Sequence, residues 1–441
     1  MTRNTYLEVR LPLREDPLLL MARLVRSRLF DQYVVYENGA GWSLAGGVLA
    51  SVRLSGHEAG DLSQVGARLA EVPAAGWRAY GWVKFELGAV LAGADPDGTE
   101  ALLHLIVPAE EVRCDATHVL VRSLTAERLD LLVDHVRTGN AEARPVPAGR
   151  IALPLEDTGT YRAAVAAALV ELRGQGMLEK LILSRRVPIP EDVDLVASYV
   201  AGRRANTPAR SFLLDLGGIQ AAGFSPETVA EVTADGHVTT RPLAGTRART
   251  GTAVDDARLR SDLLGDPKEI HEHAISVKLA MEDLGEVCDD TGVSEYMTVL
   301  DRGTVQHLAS TVTGRLRPGH GPWDAFAALF PAVTATGIPK AQAYPLIRAL
   351  EGNPRGLYAG AVLTCDADGT LDAALVLRSV FRMGGQCWLQ AGAGVVRQSR
   401  PDREHEETCE KLRSVAHHLV PADHTAANAE SAAAPGGFTT D

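Results

Sequence analysis

The chain has 441 residues, 46% of them hydrophobic, and a formal charge of −12 from Asp+Glu 56 against Lys+Arg 44. That apolar content can fill a substantial core, and the acidic balance argues against general binding to a nucleic-acid backbone while leaving room for a small anion held by a few placed cations. The five cysteines, Cys114, Cys288, Cys365, Cys387 and Cys409, are scattered without a C-x-x-C pair, so neither a disulfide framework nor a thiolate zinc site is supported.

In chain order, the opening MTRNTYLEVRLPLREDPLLLMARLVR is broken by charges, and its longest apolar run is too short for a signal sequence. No segment approaches the roughly 20 apolar residues of a membrane-spanning helix, so the expectation is a cytoplasmic protein with no membrane partner. Residues 1–150 read as mixed strand and helix, and 143–154 as a connection. DTGTYRAAVAAALVELRGQ predicts a capped helix, KLILSRRVPI (180–189) and SFLLDLG (211–217) predict strands, and PKEIHEHAISVKLAMEDLGEV (267–287) predicts a long helix. On that helix Ile270, Ala274, Val277, Met281 and Leu284 form the apolar face. Residues 356–396 predict a β-meander punctuated by DADG and MGG, followed at once by the helix DREHEETCEKL (402–412). The small polar run 421–441 predicts a disordered tail. Meandering strands plus long helices, without regular βα alternation, make the fold class α+β.

Several motifs fail on one residue. HEHAI (271–275) and HEETC (405–409) lack the second histidine of a zinc protease helix, and Arg397 in AGAGVVR replaces the third glycine of a dinucleotide fingerprint. What survives is a pair of E-x-x-E helices, Glu269/Glu272 and Glu404/Glu407. At about 3.6 residues per turn, Glu404, Glu407 and Lys411 share a stripe at the edge of the core, whereas Glu406 and Glu410 point the other way and are expected in solvent. Two such helices facing each other would form an all-oxygen cluster suited to magnesium.

RPLAGTRARTG (241–251), DPKEIHEHAISV (266–277), TVQHLAS (304–310), LFPAVTATGIPK (329–340), RGLYAGAV (355–362) and AGAGVVRQSRPDREHEETCEKL (391–412) occur in that order. Together they resemble the chorismate-utilising enzymes, strongly over about 155–420 and more weakly before that, as in GWVKFELG (81–88). The resemblance implies one large domain of antiparallel sheets flanked by helices, with 1–150 its N-terminal part and 151–420 the chorismate-binding region. It also implies one Mg²⁺ held by Glu272 and Glu407, with Glu404 and Glu269 completing the acidic nest. Gly245 and Thr246 would contact the ring carboxylate, with Lys411 beside it. Tyr358 and Arg378, aided by backbone N–H groups at Gly392 and Gly394, would clamp the enolpyruvyl carboxylate, a role for which the arginine fork is suited.

Two positions discriminate chemistry within the family. Lys180 matches the lysine that activates water, and Ala244 stands where aminodeoxychorismate synthases tend to carry an attacking lysine. Glu227 matches the acid that protonates the departing 4-hydroxyl. His307, Thr334 and Leu377 match the pocket of the salicylate synthase branch, to which the motifs are most similar, and the resemblance places His307 with Lys180 and Glu227 among the catalytic residues. The implied reaction takes chorismate through isochorismate to salicylate and pyruvate, with isochorismate synthesis alone as the alternative. Salicylate of this branch commonly feeds siderophores and other secondary metabolites. A monomer without an amidotransferase subunit is expected.

Overall fold

The computed structural model describes residues 4–95, 98–138, 151–174, 176–303 and 305–422. Most of the 143–154 connection and nearly all of the 421–441 tail lie outside the described residues.

Nineteen strands among these residues join into one continuous antiparallel system. It forks at the long strand Ala101–Cys114, which pairs with both Gly41–Ser55 and Arg78–Val83. One branch runs from Gly41–Ser55 through Tyr33–Asn38, Arg210–Leu216, Ile219–Ser225, Ser379–Met383 and Gln386–Val395 to Lys180–Ile189. The other runs from Arg78–Val83 through Ala361–Asp366, Leu371–Leu375, Thr228–Val232 and His237–Thr240 to Val305–Leu316. Strands from the first 114 residues therefore pair directly with strands from the rest.

The main core lies between the branches, and a second core lies on the outer face of the first branch under helices. Side-chain alternation sends Phe212 and Leu214 into the main core and Leu213 into the outer one. Along Lys180–Ile189 the division runs lengthwise, with Leu181 and Leu183 in the main core and Val187 and Ile189 in the outer one. Such strands are covered on both faces and read as continuous apolar runs.

The expected meander is corrected. Ala361–Asp366 pairs with Leu371–Leu375, and Ser379–Met383 with Gln386–Val395, but the two hairpins belong to different branches. The chain crosses between them at 376–378, where Arg378 adopts a left-handed backbone (φ 50). Local turn signals are the same whether consecutive strands pair with each other or with distant partners.

Candidate active site

The two E-x-x-E helices occupy Pro267–Gly285 and Pro401–Ala416. Each has proline at its first position, where the missing N–H costs nothing, and each carries its glutamate pair within the first two turns, where the helix dipole favours negative charge. Asp266 caps the first helix by accepting from the backbone N–H of Lys268 at 2.9 Å.

The predicted apolar face of Pro267–Gly285 is only partly right. Val277 and Leu284 are buried, but Ile270, Ala274 and Met281 are half-buried, while Glu269, Glu272, His273 and Ser276 face inward. The N-terminal half of the helix lies over the site, so its buried stripe is polar. On the other helix Glu404 is buried and Glu406 exposed, as the stripe predicts. Glu410 departs from the expectation: it is half-buried and shares Arg403 with Glu406, at 3.0 and 3.1 Å.

Lysines thread the carboxylates. Lys180, fully buried, lies 3.0 Å from Glu272 Oε1 and donates to Ser276 Oγ at 3.2 Å. Lys411 pairs with Glu407 at 2.8 Å and donates to the Gly392 carbonyl at 2.8 Å. Lys268, which the motifs did not single out, lies 3.5 Å from Glu272, 3.6 Å from Glu269 and 3.9 Å from Glu404, bridging both helices. Burial opposes ionisation of Glu272, but Lys180 and Lys268 outweigh it and hold the carboxyl at about 2. Glu407 is likewise lowered, burial being overcome by Lys411 and Lys268. Glu404 goes the other way, to about 7, through burial and the neighbouring Glu407.

Among the described residues no three or more carboxylates close into a ready-made ligand cluster, and each of Glu272 and Glu407 is paired with a lysine. The donor set nevertheless suits a hard divalent cation. It is all oxygen, it comes from two facing helices, and Glu404 Oε2 is buried without a hydrogen-bond partner.

The cavity beside this nest encloses roughly 810 Å³ including its open mouth. Its walls include Glu227, Gly245, Thr246, Glu272, His307, Thr334, Tyr358, Leu377, Arg378, Gly392, Gly394, Glu407 and Lys411, which brings together thirteen of the sixteen residues singled out in the sequence. Lys180, Glu269 and Glu404 stand behind that wall, and Glu269 is tied to Arg247 at 3.0 Å.

Glu227 is buried and accepts from the Thr334 hydroxyl at 2.6 Å. Burial pushes its carboxyl up to about 8 despite that hydrogen bond, so it is protonated at neutral pH. Across the cavity wall, Arg378 donates to His307 Nε2 at 2.5 Å, leaving Nδ1 of a neutral imidazole to donate to Thr246 Oγ1 at 3.0 Å. Burial and Arg378 keep His307 uncharged, its pKa well below the usual value. Burial lowers Arg378 only to about 10, so its guanidinium stays cationic.

Glycines make room here. Gly245 has φ +88 at a bulge between Leu243 and Thr246, and a Cβ there would lie 3.3 Å from Glu269 Oε2. A Cβ on Gly394 would fall 2.4 Å from Glu272 Oε1, and one on Gly392 would fall 2.7 Å from the Leu183 carbonyl.

A buried acid, a lysine, a carboxylate nest and a guanidinium converging on one cavity between two sheet branches define an enzyme of small anionic substrates. Residues 36–417 match the family described as chorismate binding enzyme, and the chain belongs to that family. It is 40% identical over 433 residues to a salicylate synthase of Mycolicibacterium paratuberculosis, covering 93% of this chain and 95% of that protein. It is also 40% identical over 243 residues to an anthranilate synthase component 1 of Methanothermobacter thermautotrophicus, covering 55% and 52%. The fold matches that of the menaquinone-specific isochorismate synthase of Escherichia coli, with TM-score 0.73 and 22% identity over 94% of this chain and 95% of that one. No helix among the described residues is long and apolar enough to cross a membrane.

Proposed function

We propose that this protein is a Mg²⁺-dependent salicylate synthase, taking chorismate through isochorismate to salicylate and pyruvate. The observation that carries the reading is a neutral, buried Glu227 in the cavity wall with the buried Lys180 behind the same wall, an acid to expel hydroxide from one ring carbon and a base to activate water at another. The near full-length similarity to a salicylate synthase points to the same product.

Acting as the neutral amine, once its own proton has been given up, Lys180 takes a proton from water as the water attacks C2. Glu227 gives its proton to the departing C4 hydroxyl, and Thr334 keeps that carboxyl aimed. Arg378 and Tyr358 clamp the enolpyruvyl carboxylate. The expected catalytic role of His307 becomes one of positioning, because its Nε2 is engaged by Arg378. Glu272 and Glu407, supported by Glu269 and Glu404, would hold Mg²⁺, which supplies positive charge for the ring carboxylate and assists attack on the ring.

The second step moves the C2 hydrogen to the enolpyruvyl methylene carbon as the C3–O bond breaks. Pyruvate leaves and the ring becomes aromatic. This cyclic rearrangement needs little acid–base help and mainly requires the side chain folded over the ring.

The test is product identification from purified protein with chorismate and Mg²⁺. Salicylate and pyruvate are expected in equal amounts, with isochorismate only transient. Isochorismate accumulating as the end product, without pyruvate, would replace this reading by isochorismate synthesis alone.

A further inference from the structure

RGLYAGAV contains one residue that the reaction above leaves unused. Arg355 is only 1% exposed and is among the largest fully buried side chains of the protein. Its guanidinium makes four hydrogen bonds. Two go to the Glu351 carboxylate, from Nη2 at 2.6 Å and from Nε at 3.0 Å; the others go to the Ala335 carbonyl at 2.7 Å and the Ile182 carbonyl at 2.8 Å. The guanidinium carbon also lies 4.4 Å from the centre of the Phe85 ring and 5.9 Å from that of Tyr358.

The acceptors are informative. Ala335 follows Thr334 in the short turn Val333–Ala335, and Thr334 is the hydrogen-bond partner of Glu227. Ile182 lies two residues along the strand Lys180–Ile189 that begins with Lys180. That strand is also joined to the segment after the turn, through the Ile182 N–H to the Thr336 carbonyl at 2.8 Å. Glu351 in turn accepts from the Ser184 N–H at 2.7 Å and from the Ser184 hydroxyl at 2.9 Å. One planar cation thus spans the turn behind the acid, the strand that carries the base and the ring of the clamp tyrosine, without lining the cavity.

We propose that Arg355 is a positioning residue that sets the distance between the acid assembly, Thr334 and Glu227, and the base Lys180, acting through the Ala335 and Ile182 carbonyls. The inference rests on the functional reading above, which assigns those two groups their roles. A guanidinium suits the task because its rigid fork satisfies a bidentate carboxylate and two carbonyls at once; a lysine ammonium at the same place reaches fewer acceptors in that geometry. A misplacement on the order of 1 Å between reacting groups costs on the order of 100-fold in rate, so a residue remote from the substrate can control turnover.

The test is Arg355→Lys, which keeps a cation for Glu351 and gives up the double carbonyl span. Wild-type conversion of chorismate is measured first and decides the functional reading by itself. With that activity in hand, the variant is expected to lose roughly 10- to 100-fold in kcat for loss of chorismate, with KM changed less than about threefold. Pyruvate release from isochorismate supplied directly should be reduced far less. The alkaline limb of the kcat/KM profile should also move to higher pH, because a loosened Thr334 no longer stabilises the Glu227 anion; a purely structural loss would lower the amount of active enzyme without moving the limb. A folded Arg355→Lys protein with wild-type kcat and an unmoved limb would overturn the proposal. Should that variant unfold, the double variant Arg355→Met/Glu351→Leu removes the buried pair together and avoids a stranded charge. It is expected to fold and to show the same kcat deficit; normal kcat in the folded double variant would equally overturn the assignment.

Discussion

Glu227 and Glu272 are both buried glutamates at the edge of one cavity, yet one is neutral and the other an anion. Glu227 meets a hydroxyl and a backbone N–H, which are too weak to offset burial, and it stays protonated up to about 8. Glu272 meets Lys180 at 3.0 Å and Lys268 at 3.5 Å, and it stays ionised down to about 2. The contrast teaches that burial alone does not decide what a carboxyl group can do. Burial with cations only at a distance makes an acid, and burial in contact with cations keeps an anion able to receive a metal.

The largest effect is expected from removing the acid or the base. Glu227→Gln and Lys180→Gln should each lower formation of isochorismate from chorismate by about 10²- to 10⁴-fold, measured by steady-state turnover. Pyruvate release from supplied isochorismate should largely survive in both, since that step expels no 4-hydroxyl and activates no water. Next comes the anionic end. Glu407→Gln should leave the fold intact and weaken Mg²⁺ binding by at least about 100-fold in calorimetry, with turnover falling in parallel. Full turnover of this variant in the presence of chelator would remove the metal from the assignment.

A smaller effect sharpens the comparison through pH. Activity needs protonated Glu227, so the alkaline limb of kcat/KM should fall near pH 8. Thr334→Val removes a donor to the anion and should move that limb upward by up to about one pH unit. The two glutamates also pull stability in opposite directions. The folded pKa of Glu227 is raised from 4.5, so its contribution is complete below about 4.5 and is lost as pH rises through about 8. That of Glu272 is depressed, so its contribution is present above about 4.5 and is lost as pH falls through about 2. Thermal melts of Glu227→Gln should therefore gain on wild type between pH 6 and pH 9. The smallest effect belongs to the solvent side of the second helix. Arg403→Ala breaks the links to Glu406 and Glu410 and should cost no more than about 1 kcal/mol in denaturant titration, with turnover unchanged.

The sequence by itself determined the α+β class, the strands at 180–189 and 211–217, the two long helices and the residues that meet at the cavity. Periodicity, turn residues and ordered motifs are local, and a stripe containing Glu404, Glu407 and Lys411 is set by helix geometry before any packing occurs. The motifs also carried the family, and with it the proposed roles of Lys180 and Glu227. Tertiary structure alone decided the rest. Ile270 and Met281 are as apolar as a core requires, but the sheet end over which their helix begins presents a polar site, so Glu269 and Glu272 are buried instead. The expected meander became two hairpins because its strands found partners from Arg78–Val83 and Lys180–Ile189, which no local signal names. Lys268 and Arg355 were written within the quoted motifs, but the importance of each lies in what surrounds it: carboxylates from a second helix in one case, two distant carbonyls and a carboxylate in the other. A charge in a sequence has no environment until chain segments far apart are packed around it, and at this site the environment sets the protonation state and therefore the chemistry.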